Sequence, residues 1–427
     1  MTVTTKTTEK YSFATVSNST SGIVVAYITA DLHKGGDSLS EYLPWFVLTE
    51  ALRGGCGNLS RDAFLDKLNM LGSSISVSAA NRMVTIELRS TAETFDKTAA
   101  LLKLMLTEPT FAPAELKRIK STLKNELEDA REDSKIHAEL GLRNALWGNN
   151  DRRHSPTIDQ LTASINKVSK KDLDSSLKNF RQTFWQITFG GSDEQAKKFE
   201  RVASSIQLQV AKATLQPQVA LGKPARTVFH EITSRQNIDF AIGSILPLSV
   251  HGADFPALTM GIAILGKWGG FAGRLMSTVR EKEGLTYSIY ARTENFYRDE
   301  QGQWRIFTFF APEKAIQGVT STMREVTNIF KKGVTEEELT AFKRIVKTQE
   351  LLSHDSLVGY TGKIHSYHVL GLSPNEIASL LNKQDELTVT DVNAAIKKYL
   401  NPKALTISAA GPIKTVKKDL VSLLETV

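Results

Sequence analysis

A single cysteine, Cys56, is the only thiol in 427 residues. That excludes an intramolecular disulfide and any cysteine-based metal cluster, and the residue reads as structural. No run of about 18 apolar residues occurs, so no membrane span is expected. The opening MTVTTKTTEKYSFATV has no apolar stretch of signal-peptide length, and the chain as it stands reads as soluble. Phosphate-cradling motifs are missing too: neither GGCGNLS (54–60) nor GKWGGFAG (266–273) fits G-x-x-x-x-G-K-[ST], and both read as turns. Histidine is absent between His33 and His137. A net charge of +7 and a pI near 9.2 would suit nucleic acid. The basic residues are scattered among acids, however, as in ELKRIKSTLKNELEDARED, with no interleaved aromatics to stack on bases. No nucleic-acid partner is expected.

What the sequence does contain is a duplicated unit. At 41% hydrophobic and 23% charged residues it is globular in composition, and its length favours two or more domains. The segment DLDSSLKNF (172–180) matches DVNAAIKKY (391–399) at every apolar and acidic position in type or nearly so. Each copy is followed by a β-like run, WQITFGG in one and ALTISAAG in the other. A second pair, APAELKRIKSTLKNE (112–126) and TEEELTAFKRIVKTQ (335–349), keeps the same order.

Local patterns repeat as well. RDAFLDKLNMLG places Phe64, Leu65, Leu68 and Leu71 on one helical face, with Ser60 as N-cap and Gly72 as stop. SSISVSAA and MVTIELRS then alternate apolar and polar residues as antiparallel strands. In the second half FAGRLMSTVREKEG, LTYSIYART and QWRIFTFFA repeat helix, strand, strand. The class is therefore α+β in two homologous halves, 10–212 and 226–427, joined by an irregular, proline-containing linker at 213–225.

The segment LGKWGGFAGRLMSTVREKEGLTYSIYA (265–291) resembles a stretch of the pitrilysin/insulinase family of zinc peptidases that reads roughly G-G-x-x-S-R-L-x-x-x-L-R-E-K-x-G-L-x-Y. The region 312–339 and ALWGNNDRRHSPTIDQL in the first half support it, so the resemblance spans nearly the whole chain. It implies two antiparallel-rich sheets, each with helices packed on one face, arranged as a clamshell as in mitochondrial processing peptidase. It also implies an inverted zinc motif H-x-x-E-H with a distant glutamate. Two histidines four residues apart on one helix face bind zinc, and the intervening glutamate activates water. In EYLPWFVLTEALRGG the three motif positions align with Trp45, Leu48 and Thr49, and only the distant carboxylate is retained, as Glu126. No metal is expected in this chain.

The resemblance marks Arg280 and Tyr287 as the family's substrate-binding pair, spanning a helix end, Gly284 and a strand. A phenol donates a hydrogen bond to a scissile carbonyl or its oxyanion, and a guanidinium adds a charged fork. Read without the family, both positions are ordinary: a charged helix end and an amphipathic strand. His354, His365 and His368 would share a face if one helix ran through them, but no ligand motif surrounds them and locally bonded histidines are the simpler reading. The expectation is a zinc-free subunit paired with a homologue that bears H-x-x-E-H and the zinc, acting on peptides. A bacterial pair in the periplasm is favoured over a cytoplasmic one. The rivals are a structural core-type homologue of respiratory complexes and a mitochondrial presequence-binding subunit, whose long glycine-rich loop is here the compact GKWGGFAG.

Overall fold

The computed structural model describes residues 1–210, 219–222, 226–267 and 272–426. Most of the expected linker at 213–225 lies outside the described residues, as do positions 268–271 of the GKWGGFAG loop. The strands are β1 (Thr2–Thr7), β2 (Tyr11–Ser17), β3 (Ile23–Asp31), β4 (Gly55–Cys56), β5 (Leu59–Ser60), β6 (Ser74–Ala80), β7 (Met83–Thr91) and β8 (Trp185–Gly191), then β9 (Thr227–Glu231), β10 (Ile238–Leu246), β11 (Ile289–Glu294), β12 (Gly302–Phe310) and β13 (Thr406–Gly411). The helices up to residue 206 are α1 (Ser38–Ala51), α2 (Arg61–Met70), α3 (Phe95–Thr107), α4 (Pro113–Arg131), α5 (Ser134–Leu146), α6 (Ile158–Ser164), α7 (Lys170–Arg181) and α8 (Asp193–Ile206). Beyond them come α9 (Phe255–Gly266), α10 (Ala315–Lys332), α11 (Glu336–Ser353), α12 (Leu357–Val369), α13 (Pro374–Glu386), α14 (Val389–Tyr399) and α15 (Lys417–Thr426).

The expected duplication is visible in the sheets. One has the order β1-β2-β8-β3-β7-β6 and the other β11-β12-β10-β13-β9. Without β1, the first reads β2-β8-β3-β7-β6, which is the reverse listing of the second. Both are antiparallel except for one parallel pair, β2 with β8 and β9 with β13. The matched segments DLDSSLKNF and DVNAAIKKY open equivalent helices, α7 and α14. Each is closed by a reciprocal capping box, Ser169 with Asp172 and Thr388 with Asp391. The strands that follow, β8 and β13, are buried along their whole length. A strand can be buried throughout only where both faces of its sheet are covered.

That covering involves an exchange that the sequence does not announce. One compact unit comprises Met1–Glu128, Asn150–Gln218 and Glu350–Pro374, and the other Asp129–Asn149, Val219–Gln349 and Asn375–Val427. Helix α5, from the first half of the sequence, therefore packs in the second unit, on β9, β10 and β13. Helix α12, from the second half, packs in the first unit, on β2, β3 and β8. Besides the helices on the expected face, each sheet thus has one on the opposite face. Under α5, Ala138, Leu142, Leu146 and Trp147 bury against Ala241 and Ala410. A Cβ at Gly141 would sit 2.3 Å from Ser408 Oγ, so only glycine lets this helix approach so closely. The other face of the second sheet carries its main core, with Phe240, Trp304, Ile306 and Phe310 against α9, α10 and α14. No helix among the described residues is long and apolar enough to cross a membrane.

Candidate substrate-binding site

Arg280 and Tyr287 are brought together by the way one helical segment ends. Met276–Lys282 is π-helical, and the Glu283 amide bonds the Thr278 carbonyl at 3.0 Å, five residues back. Such one-turn widenings recur at functional sites. The turn closes with the Leu285 amide on the Val279 carbonyl at 3.1 Å and the Gly284 amide on Arg280 at 3.1 Å. Gly284 sits at φ +60, the left-handed conformation that a helix stop of this kind requires. Leu285 and Val279 are buried, which anchors the stop in the core. Burial would raise the Glu283 pKa, but hydrogen bonds from Ser321 and Arg324 hold it below its ordinary value and pin the turn to α10.

From that stop the chain passes through Thr286, whose hydroxyl donates to the Ser288 carbonyl at 3.1 Å and accepts from Thr308 at 3.3 Å. Tyr287 therefore lies in a bend just ahead of β11, rather than in the strand, and its side chain is 76% exposed. Its ring faces Arg280, whose Cζ is 5.4 Å from the ring centroid, within cation–π range. Arg280 also lies 3.9 Å from Glu281. The result is a phenol and a guanidinium side by side, with the phenol presented to solvent.

The degenerate motif positions behave differently. Asp37 caps α1 by accepting from the Leu39 and Ser40 amides. Trp45 and Leu48 then point into the core, 6% and 0% exposed, with Trp45 edge-on to Phe180 at 5.8 Å. The Thr49 hydroxyl is spent on the Phe46 carbonyl at 3.2 Å. Glu126 is an exposed residue of α4 and borders a recess of about 170 Å³ with Glu50, Arg53 and Thr122. An indole, an isobutyl group and a bonded hydroxyl do not fit a zinc ion. Among the described residues no group of three or more histidines, cysteines, aspartates or glutamates is placed to hold a metal.

The three histidines do not share one helix face. His354 follows the end of α11 and bonds Glu350 at 3.1 Å. His365 and His368 are buried on α12, where Thr29, His365, Thr188, His368 and Ser12 form one hydrogen-bonded chain at 2.7 to 3.1 Å. Cys56 is fully buried, and burial pushes its thiol up to about 11.

The second unit also holds a recess of about 720 Å³ that sequence reasoning missed, with Asp239, Tyr290 and Phe307 at its floor. The available signal was a lone carboxylate in the largely apolar strand IDFAIGSIL.

The family model for the inactive domain of M16 peptidases matches residues 178–346. The non-peptidase homolog YmxG of Helicobacter pylori is 23% identical over 90% of this chain and 88% of its own length. The chain is thus similar to inactive members of the M16, or pitrilysin, peptidase family. An uncharacterized zinc protease of Streptomyces coelicolor is also 23% identical, over 36% of this chain and 33% of its own. The fold is shared with a solved M16 inactive domain from Pseudomonas fluorescens, with a TM-score of 0.82 and 22% identity over 96% of this chain and 98% of that one. A Complex III chain of Candida albicans superposes with a TM-score of 0.77 and 14% identity, over 99% of this chain and 100% of that one.

Proposed function

We propose that this chain is the zinc-free, substrate-binding subunit of a two-chain M16 metallopeptidase. The observation that carries this reading is the solvent-facing Tyr287, held against Arg280 by a buried helix stop. A large, mostly exposed aromatic on so specific a scaffold has no packing role. Its hydroxyl suits the carbonyl of a bound peptide, and Arg280 suits a neighbouring carbonyl or carboxylate. The metal and the water-activating carboxylate would belong to an H-x-x-E-H homologue, because Trp45 and Leu48 leave this chain neither ligand nor base.

The test is the Tyr287→Phe variant in a complex reconstituted with the H-x-x-E-H homologue from the same organism. Loss of one oxyanion donor lowers turnover by roughly 100- to 1000-fold, with complex formation and zinc content unchanged. Wild-type turnover in that variant would sink the assignment. A structural, core-type role is the second reading, favoured by the Complex III likeness and by the name of the full-length relative. It requires that no peptide binds and that Tyr287 and Arg280 are dispensable to the assembly.

A further inference from the structure

The 720 Å³ recess opens beside the strand that follows Tyr287 and is lined by Ser288 and Tyr290. Tyr290 lies three residues past Tyr287, about 10 Å along an extended backbone. Its floor is built by register: Tyr290 of β11 pairs with Phe307 of β12, and Asp239 of β10 pairs with Phe309. The Tyr290 and Phe307 rings pack at 5.6 Å, tilted by 38°, and both residues are buried. The aromatic floor thus surrounds one carboxylate.

Asp239 is 7% exposed. The Ser134 hydroxyl donates to its Oδ2, and among the described residues no cation forms an ion pair with it. Arg235 is close but donates through Nε to Ser134 at 3.2 Å, and Lys135 lies over the Phe307 ring at 4.9 Å. Burial accordingly raises the Asp239 pKa, against the Ser134 hydrogen bond and the Arg235 charge. A buried carboxylate without a cation is costly, and a ligand cation would relieve that cost.

We propose that this recess is the subsite for a basic side chain, arginine or lysine, of the peptide that Tyr287 and Arg280 hold. The aliphatic stem lies on Tyr290 and Phe307 and the cationic head meets Asp239. The inference rests on the substrate-binding reading of the Arg280–Tyr287 pair and adds the substrate class.

The test uses the full chain and fluorescent pentapeptides in which arginine is moved through each position, each paired with a citrulline version of the same shape. Anisotropy should show one position where arginine binds about 10- to 100-fold tighter than citrulline. Asp239→Asn, whose amide oxygen still accepts from Ser134, should erase that difference. The citrulline comparison needs no protein variant, so it decides the matter even if Asp239→Asn folds poorly. Equal binding of arginine and citrulline peptides at every position, with both weakened by Arg280→Ala, overturns the subsite and leaves the pair intact. Binding of no peptide at all overturns both.

Discussion

Lowering the pH from 7.5 to 5 should loosen α12 from its sheet through one residue, His365. This imidazole is 6% exposed, stacked on Tyr27 at 4.8 Å, and bonded to Thr29 at 2.8 Å and Thr188 at 2.9 Å. Burial, with His368 nearby, pushes its pKa down to about 3. In the unfolded chain the same group titrates near 6.5. Between those values the unfolded state holds a proton that the folded state lacks. Stability is therefore full above about pH 6.5 and falls as pH drops, by about 1.4 kcal/mol per unit until the folded pKa is reached. At pH 5 the loss from this group alone is about 2 kcal/mol.

His365→Gln keeps a polar group against the two threonines and removes the titration. Amide protection of the 357–369 segment against urea, read by mass spectrometry at both pH values, isolates the local effect. The wild type should lose about 2 kcal/mol more than the variant on acidification. Parallel losses would show that His365 takes up its proton in the folded protein as readily as in the unfolded chain, and would refute the reasoning.

Leu48→Glu, which restores the motif's carboxylate, should destabilise by at least about 3 kcal/mol because that position is fully buried, and added zinc should not raise its melting temperature. Asp151→Ala removes the carboxylate bonded to the buried Arg153 guanidinium at 2.8 Å and should cost about 3–5 kcal/mol, part of which a second change, Arg153→Met, recovers in urea denaturation. Cys56, with its thiol pushed up to about 11, should stay silent to a disulfide reagent at pH 8 until denaturant is added, then react as one thiol.

Local features were legible from sequence because they are fixed by neighbours in the chain. Ser60 caps α2 by accepting from the Ala63 amide, as its place before RDAFLDKLNM implies. The alternation of SSISVSAA and MVTIELRS became β6 and β7, paired from Ala80 with Met83 back to Ser74 with Arg89. The tight turn between them puts Asn81 and Arg82 at φ 49 and 60, a conformation that arginine rarely adopts and that its letter did not signal. Arg82 holds this turn through Glu41 at 2.7 Å and the Asp151 carbonyl at 3.1 Å, contacts to distant segments that no local pattern encodes. Tyr287 and Arg280 are marked by family resemblance alone, and their proximity depends on a π-helical turn that looks like an ordinary charged helix in sequence. Asp239 stayed hidden because its meaning depends on Ser134, a residue of a helix assigned to the other half.

That exchange of α5 and α12 makes the two repeats unable to stand apart. A polypeptide cut before residue 213 would carry α5 with no sheet to cover, and its own sheet would lack α12. The severed halves should thus be insoluble singly and restore each other when co-expressed.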